Sequence, residues 1–154
     1  GEEINYDDFY NMIDLIRKYA DAHHHGKEEK FLFKETQDNL GKIGTNLITH
    51  GMLVEHDYGR MYIGDLVDAL KRVKNGDEES KLDVISNAIS YTHLLEKHIA
   101  KENDAVYKYA EKNLAAEILE DVNRRSEEFE RTAQDSGVQK YYLDLLDSLE
   151  KKYR

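Results

Sequence analysis

The chain has 154 residues, 22 basic against 32 acidic side chains, a formal charge of −10 with neutral histidines, and neither cysteine nor proline. That balance argues against a nucleic-acid groove, which needs a basic footprint, and against an anionic membrane surface. The missing cysteine excludes disulfides, thiolate metal sites, iron–sulfur clusters and cysteine nucleophiles.

One domain of this length buries a sizeable core. No run approaches the ~18 apolar residues of a membrane span, and the opening GEEINYDDFY has no basic or apolar signal region, so a cytoplasmic location is the default expectation. The first residue is Gly1 rather than Met, which reads as processing or a fragment.

Glycines divide the chain into four segments. The first, about 6–38, opens with Asp7 and Asp8, suited to the positive end of a helix dipole. Gly41 and Gly44 separate it from the second, about 45–74, which stops at Asn75-Gly76 with Lys71, Arg72 and Lys74 in its last turn. The third starts near Asp77, carries Glu78 and Glu79 in its first turn, and continues to about Asn113. Three helices of roughly 30 residues, ~45 Å each, joined by short turns, predict an all-α antiparallel bundle. The fourth segment, about 115–153, breaks at Ser136-Gly137. Its apolar Ile118, Val122, Phe129, Tyr142, Leu145, Leu146 and Leu149 predict one or two amphipathic helices. Residues 1–113 thus form the bundle, and 114–154 are accessory helices packed on the same domain.

Seven histidines punctuate these helices. Residues four apart share a helix face, and His24/Glu28, His25/Glu29 and His98/Glu102 have that spacing. In the third segment the rows Ala88–Leu95–Glu102–Tyr109 and Val84–Tyr91–His98–Ala105 are otherwise apolar or aromatic, so His98 and Glu102 face the core. His56 lies one heptad before Ile63 and two before Leu70, and also points inward. In the first segment two registers compete. Glu29 aligns with Leu15 and Ala22, whereas the stripe Phe9, Ile13, Ala20 and Phe31 favours His24/Glu28. His23, His50 and His93 read as surface or supporting groups, with a tyrosine or His50 as a donor that orients the imidazoles, and Glu28, Glu55 and Glu96 taken singly read as solvated.

A buried glutamate is costly unless paired or bound to a cation. Inward imidazole and carboxylate on three helices therefore predict a metal, and that donor set suits iron, manganese or zinc. A metal-free acidic helical interaction module is the competing reading, and a mononuclear site a third.

ADAHHHGKEEKFLF (Ala20 to Phe33), MLVEHDYGR (Met52 to Arg60) and LLEKHIAKENDAVY (Leu94 to Tyr107) together resemble the hemerythrin-like (HHE cation-binding) family. The resemblance spans about residues 5–112. It implies an up-down helical bundle around a non-heme diiron centre, with His25, Glu29, His56, His98 and Glu102 as ligands. The Leu32-Phe33 pair matches the family's apolar dipeptide after the bridging carboxylate, which favours His25/Glu29 over His24/Glu28. Two iron ions are the implied cofactor, with one ion or another divalent metal as the variant. The implied partner is dioxygen or another small diatomic ligand.

Three departures qualify this. The family's first helix has no counterpart. Arg60 stands where the oxygen carriers have a second His, and residue 103 is Asn, so the acid after His98 must be Glu102. These lean away from reversible oxygen carriage, toward sensing, iron handling, or peroxide and nitric-oxide chemistry, and leave catalysis open. An absent helix would also leave an apolar face through which the chain self-associates.

Overall fold

The computed structural model describes residues 4–154. Among these, regular structure is entirely helical and falls into long rods. We label them α1 (residues 6–39), α2 (41–74), α3 (81–113, preceded by the 3-10 turn Glu78–Ser80), α4 (Ala116–Asp135) and α5 (Val138–Tyr153). No helix of the described residues is long and apolar enough to cross a membrane.

Local chemistry sets the ends. The Asn5 side chain caps α1 by accepting from the Asp8 backbone N–H at 3.1 Å, with Asp7 and Asp8 in the first turn. α1 turns into α2 at Leu40-Gly41 without a loop, because Gly41 takes φ +56°, a conformation glycine adopts at no steric cost. The reversal is tight enough that a Cβ on Gly44 would lie 2.4 Å from the Thr36 carbonyl oxygen. Backbone on backbone cannot yield there. Gly44→Ala is therefore expected to destabilise the fold by about 3 kcal/mol in urea unfolding. α2 begins at Gly41, earlier than the glycine pair alone suggested, because only Gly41 breaks the helical path.

Contacts down each rod fix the directions. Gln37 meets Thr49 and Asp21 meets Arg60, so α2 runs antiparallel to α1. Arg72 meets Asp83 and Glu55 meets Lys101, so α3 runs antiparallel to α2. Arg125 pairs with Glu35, Phe129 packs edge-on to Phe31, Tyr142 donates to Asp14 and Lys152 reaches Asp8. α4 and α5 therefore line α1 in succession as one antiparallel rod, broken where Gly137 takes φ +75°.

The C-terminal segment thus supplies a fourth wall against α1. One apolar stripe stays exposed: Leu82, Ile85, Ile89 and Ile99 on α3 are 73%, 56%, 49% and 46% accessible.

Two apolar cores flank the middle of the bundle. Ile13, Ile63, Leu66, Leu70, Val84 and Tyr91 form one, and Phe33, Ile48, Met52 and Val106 the other. On α1, α2 and α3 alike, the buried histidine sits between a residue of the first core and a residue of the second. The polar groups are consequently sealed by hydrocarbon at both ends.

Candidate metal centre

Four stretches of α1–α3 are wound as π-helix: Ile16–His25, Glu29–Phe33, Ile48–Met52 and Glu102–Val106. The Gly26 N–H, for example, bonds the carbonyl of Asp21 five residues back. Such wide turns concentrate at functional sites because they re-aim side chains. Here three of them contain or begin at a residue of the central cluster or its surround, and the fourth ends one turn before His56.

The cluster is compact. Donor atoms of His25, Glu28, His56 and His98 lie within 4.8 Å of one another, as do those of His24, Glu28 and Glu102. Glu28 belongs to both groups. His25 stacks on His56 with ring centroids 3.9 Å apart, and the Nε2 atoms of His56 and His98 stand 3.1 Å apart. All of these residues are buried except His24, whose side chain is 49% accessible.

Each buried imidazole is held from behind by a carboxylate. Nδ1 of His25 lies 3.3 Å from Asp21, Nδ1 of His56 donates to Glu29 at 2.7 Å, and Nδ1 of His98 donates to Glu55 at 3.0 Å. That arrangement fixes the tautomer and turns Nε2 inward, as outer carboxylates do for metal-binding histidines. Two inward Nε2 lone pairs at 3.1 Å repel unless a proton or a cation lies between them.

The electrostatics fit a cation. Burial, and then the neighbouring His56, hold His25 down to about 4, so it is a neutral donor. Burial likewise lowers His56. Burial opposes protonation of His98 too, but Glu102 and Glu55 outweigh it and raise its proton affinity. Burial, and then the charge of Glu102, push Glu28 up to about 8. Glu28 Oε2 and Glu102 Oε1 are fully buried without a hydrogen-bond partner. Two orphaned carboxylate oxygens among inward imidazole nitrogens make an unfavourable interior by themselves, and the donor set divalent metals need.

His25, His56, His98 and Glu102 are thus brought together, and Glu28 and His24 join them. Glu29, preferred over Glu28 on sequence, is turned to the outer side of His56, where it also accepts from Arg60 at 2.8 Å. The π turns on either side of Gly26–Glu28 explain the difference, since they rotate the first helix out of the register a plain helix would keep. Glu28 and Glu55, read as solvated, are buried or nearly so. The Phe9–Ile13–Ala20–Phe31 stripe carried the signal for Glu28. The four-residue spacing of Asp21 and His25 carried the one for Asp21. His50, expected as an orienting donor, is exposed. That part on the glutamate side is taken by Tyr107, whose hydroxyl donates to Glu28 Oε1. His23 faces away and meets Glu130 at 3.1 Å.

Arg60 gains a role here. Its guanidinium bonds Asp21 at 2.8–3.1 Å and Glu29 at 2.8 Å, clamping the carboxylates behind His25 and His56. Arg60→Met is expected to weaken metal binding by about tenfold without changing the number of ions bound, as loss of outer partners does elsewhere. Metal titration checks this. Its half-exposed ion pairs make the accompanying loss of fold stability small, under about 1 kcal/mol.

The model of the hemerythrin HHE cation binding domain matches residues 1–110. No curated protein and no solved structure gives a match to the chain.

Proposed function

The chain belongs to the hemerythrin HHE cation-binding domain family, and we propose that it is a non-heme diiron protein that binds or senses dioxygen or a related small oxidant. The observation that carries this reading is the sharing of Glu28 between two donor groups, one with three buried histidines and one with His24 and Glu102. Glu28 and Glu102 would bridge or chelate the ions, His25, His56 and His98 would serve one of them, and His24 the other. Iron so held supplies one-electron redox chemistry toward small oxygen species.

The chain's own residues do the rest. Asp21, Glu29 and Glu55 keep the imidazoles aimed, and Arg60 and Lys101 keep those carboxylates ionised and fixed. Burial and Arg60 act in opposite directions on Glu29, and the bonds to His56 and Arg60 prevail, lowering its proton affinity. A cavity of about 200 Å³, lined by Ile16, Ile63 and Tyr91 with Asp21 and Arg60, reaches His25 and His56 and is large enough for a diatomic molecule.

The two donor groups differ in burial, which favours unequal affinities. The three-histidine group fills first, and the group containing half-exposed His24 fills second. Anaerobic ferrous titration followed by dialysis tests this: two ions per chain bound in two phases support the reading. A single ion makes the centre mononuclear, and none refutes it.

A further inference from the structure

We propose that the cavity between α1, α3 and α4 is a binding site for a short aliphatic carboxylate, which enters from the His24 side of the metal centre. The proposal rests on the cation-loaded reading above and adds the class of molecule the open side accepts.

The cavity encloses about 350 Å³. A diatomic molecule is close in size to one water, whose share of liquid volume is ~30 Å³, so the space is about tenfold larger than dioxygen needs. It falls within the range of sites for small organic ligands, whereas the cavity beside His56 does not.

Its walls have two characters. His24 and Glu28 line its inner end, beside the donor group that offers only His24, Glu28 and Glu102 to an ion. Leu32 of α1 and Leu119 and Val122 of α4 give an aliphatic side, Lys27, Asn123 and Ser126 add donors, and Glu111 adds one carboxylate to the wall. The α4 residues lie beyond the residues 1–110 that the family model matches.

Charge decides the ligand's polar end. At the floor, the outer donor group offers an ion only His24, Glu28 and Glu102, so an ion held there would keep room for an anionic ligand. The Lys27 ammonium lies on the same side, held at 2.5 Å by Glu130. An anionic head toward the floor and a hydrocarbon tail along Leu32, Leu119 and Val122 satisfy both characters at once.

The test is calorimetric titration of the zinc-loaded chain, a redox-silent form, with acetate, butyrate and hexanoate, and with hexanol as the neutral control. Affinity is expected to rise about fourfold for each methylene that enters the cavity, with no binding of hexanol and none of hexanoate to the metal-free chain. Leu119→Trp should abolish the dependence on chain length while leaving the zinc content unchanged; Ser126→Phe serves if that change unfolds α4. Equal affinity for acetate and hexanoate, hexanoate binding without metal, or an unaltered dependence in the filled variant would overturn the proposal while leaving the metal reading intact. A chain that takes up no zinc would overturn both.

Discussion

Replacing Glu102 by Gln is expected to remove the share of ferrous-iron stabilisation that comes from the ion held by His24, Glu28 and Glu102. A ligand that binds only the folded state at about a thousand times its dissociation constant adds about 4 kcal/mol. For a domain of this size that raises the melting temperature by about 10 °C. Glutamine keeps the volume of Glu102, whose Oε1 lies 3.1 Å from His98 Nε2. It removes a negative charge from the donor group that Glu102 forms with His24 and Glu28, and brings an amide donor to face the cation. The metal-free variant should therefore melt close to the wild type, and the difference should appear only when iron is added. A metal-free interaction module predicts no response to iron in either protein, so anaerobic melting curves separate the two readings.

The second large effect is on the metal-free chain, and its sign runs the other way. Glu28 has a folded-state value of about 8 against an ordinary 4.5, because burial and the charge of Glu102 disfavour its ionised form. The folded chain therefore binds a proton that the unfolded chain releases. This stability is fully present below pH 4.5 and is lost as pH rises through 8. His25 acts oppositely, losing stability as pH falls from 6.5 toward 4. The two trends offset below pH 6.5. Above it the Glu28 trend is unopposed, and the raised proton affinity of His98 adds to it.

Metal-free wild type is thus expected to lose about 2 kcal/mol between pH 6.5 and 8. Glu28→Gln should lose much less and be the more stable protein at pH 8. The same variant should hold iron poorly. Denaturant melts of both proteins at the two pH values check this, and a wild-type profile flat across that interval would contradict it.

That opposition between stability and metal binding explains why the site was partly legible in sequence. His56, His98 and Glu102 occupy positions where the apolar rows of α2 and α3 demanded hydrocarbon, and a strict helical period exposes such residues. The first helix obeys no such period. Its π turns bring adjacent His24 and His25 to the same cluster, exchange Glu28 for Glu29, and leave Glu29 behind His56.

Arg60 reads in sequence as a lost ligand. In three dimensions it holds two of the carboxylates that aim the imidazoles, a role that depends on Asp21 and Glu29, some 30 to 40 residues upstream. The fourth wall was also hidden. Gly137 breaks the C-terminal segment into α4 and α5, and only their successive contacts with α1 show that they act as one rod.

Anaerobic equilibrium dialysis against ferrous iron, run side by side on wild type and Glu28→Gln, probes the shared carboxylate itself. Two ions retained per wild-type chain, with loss of at least one in the variant, is the expected result. Retention of none by the wild type, or of two by both proteins, would contradict a centre built on Glu28.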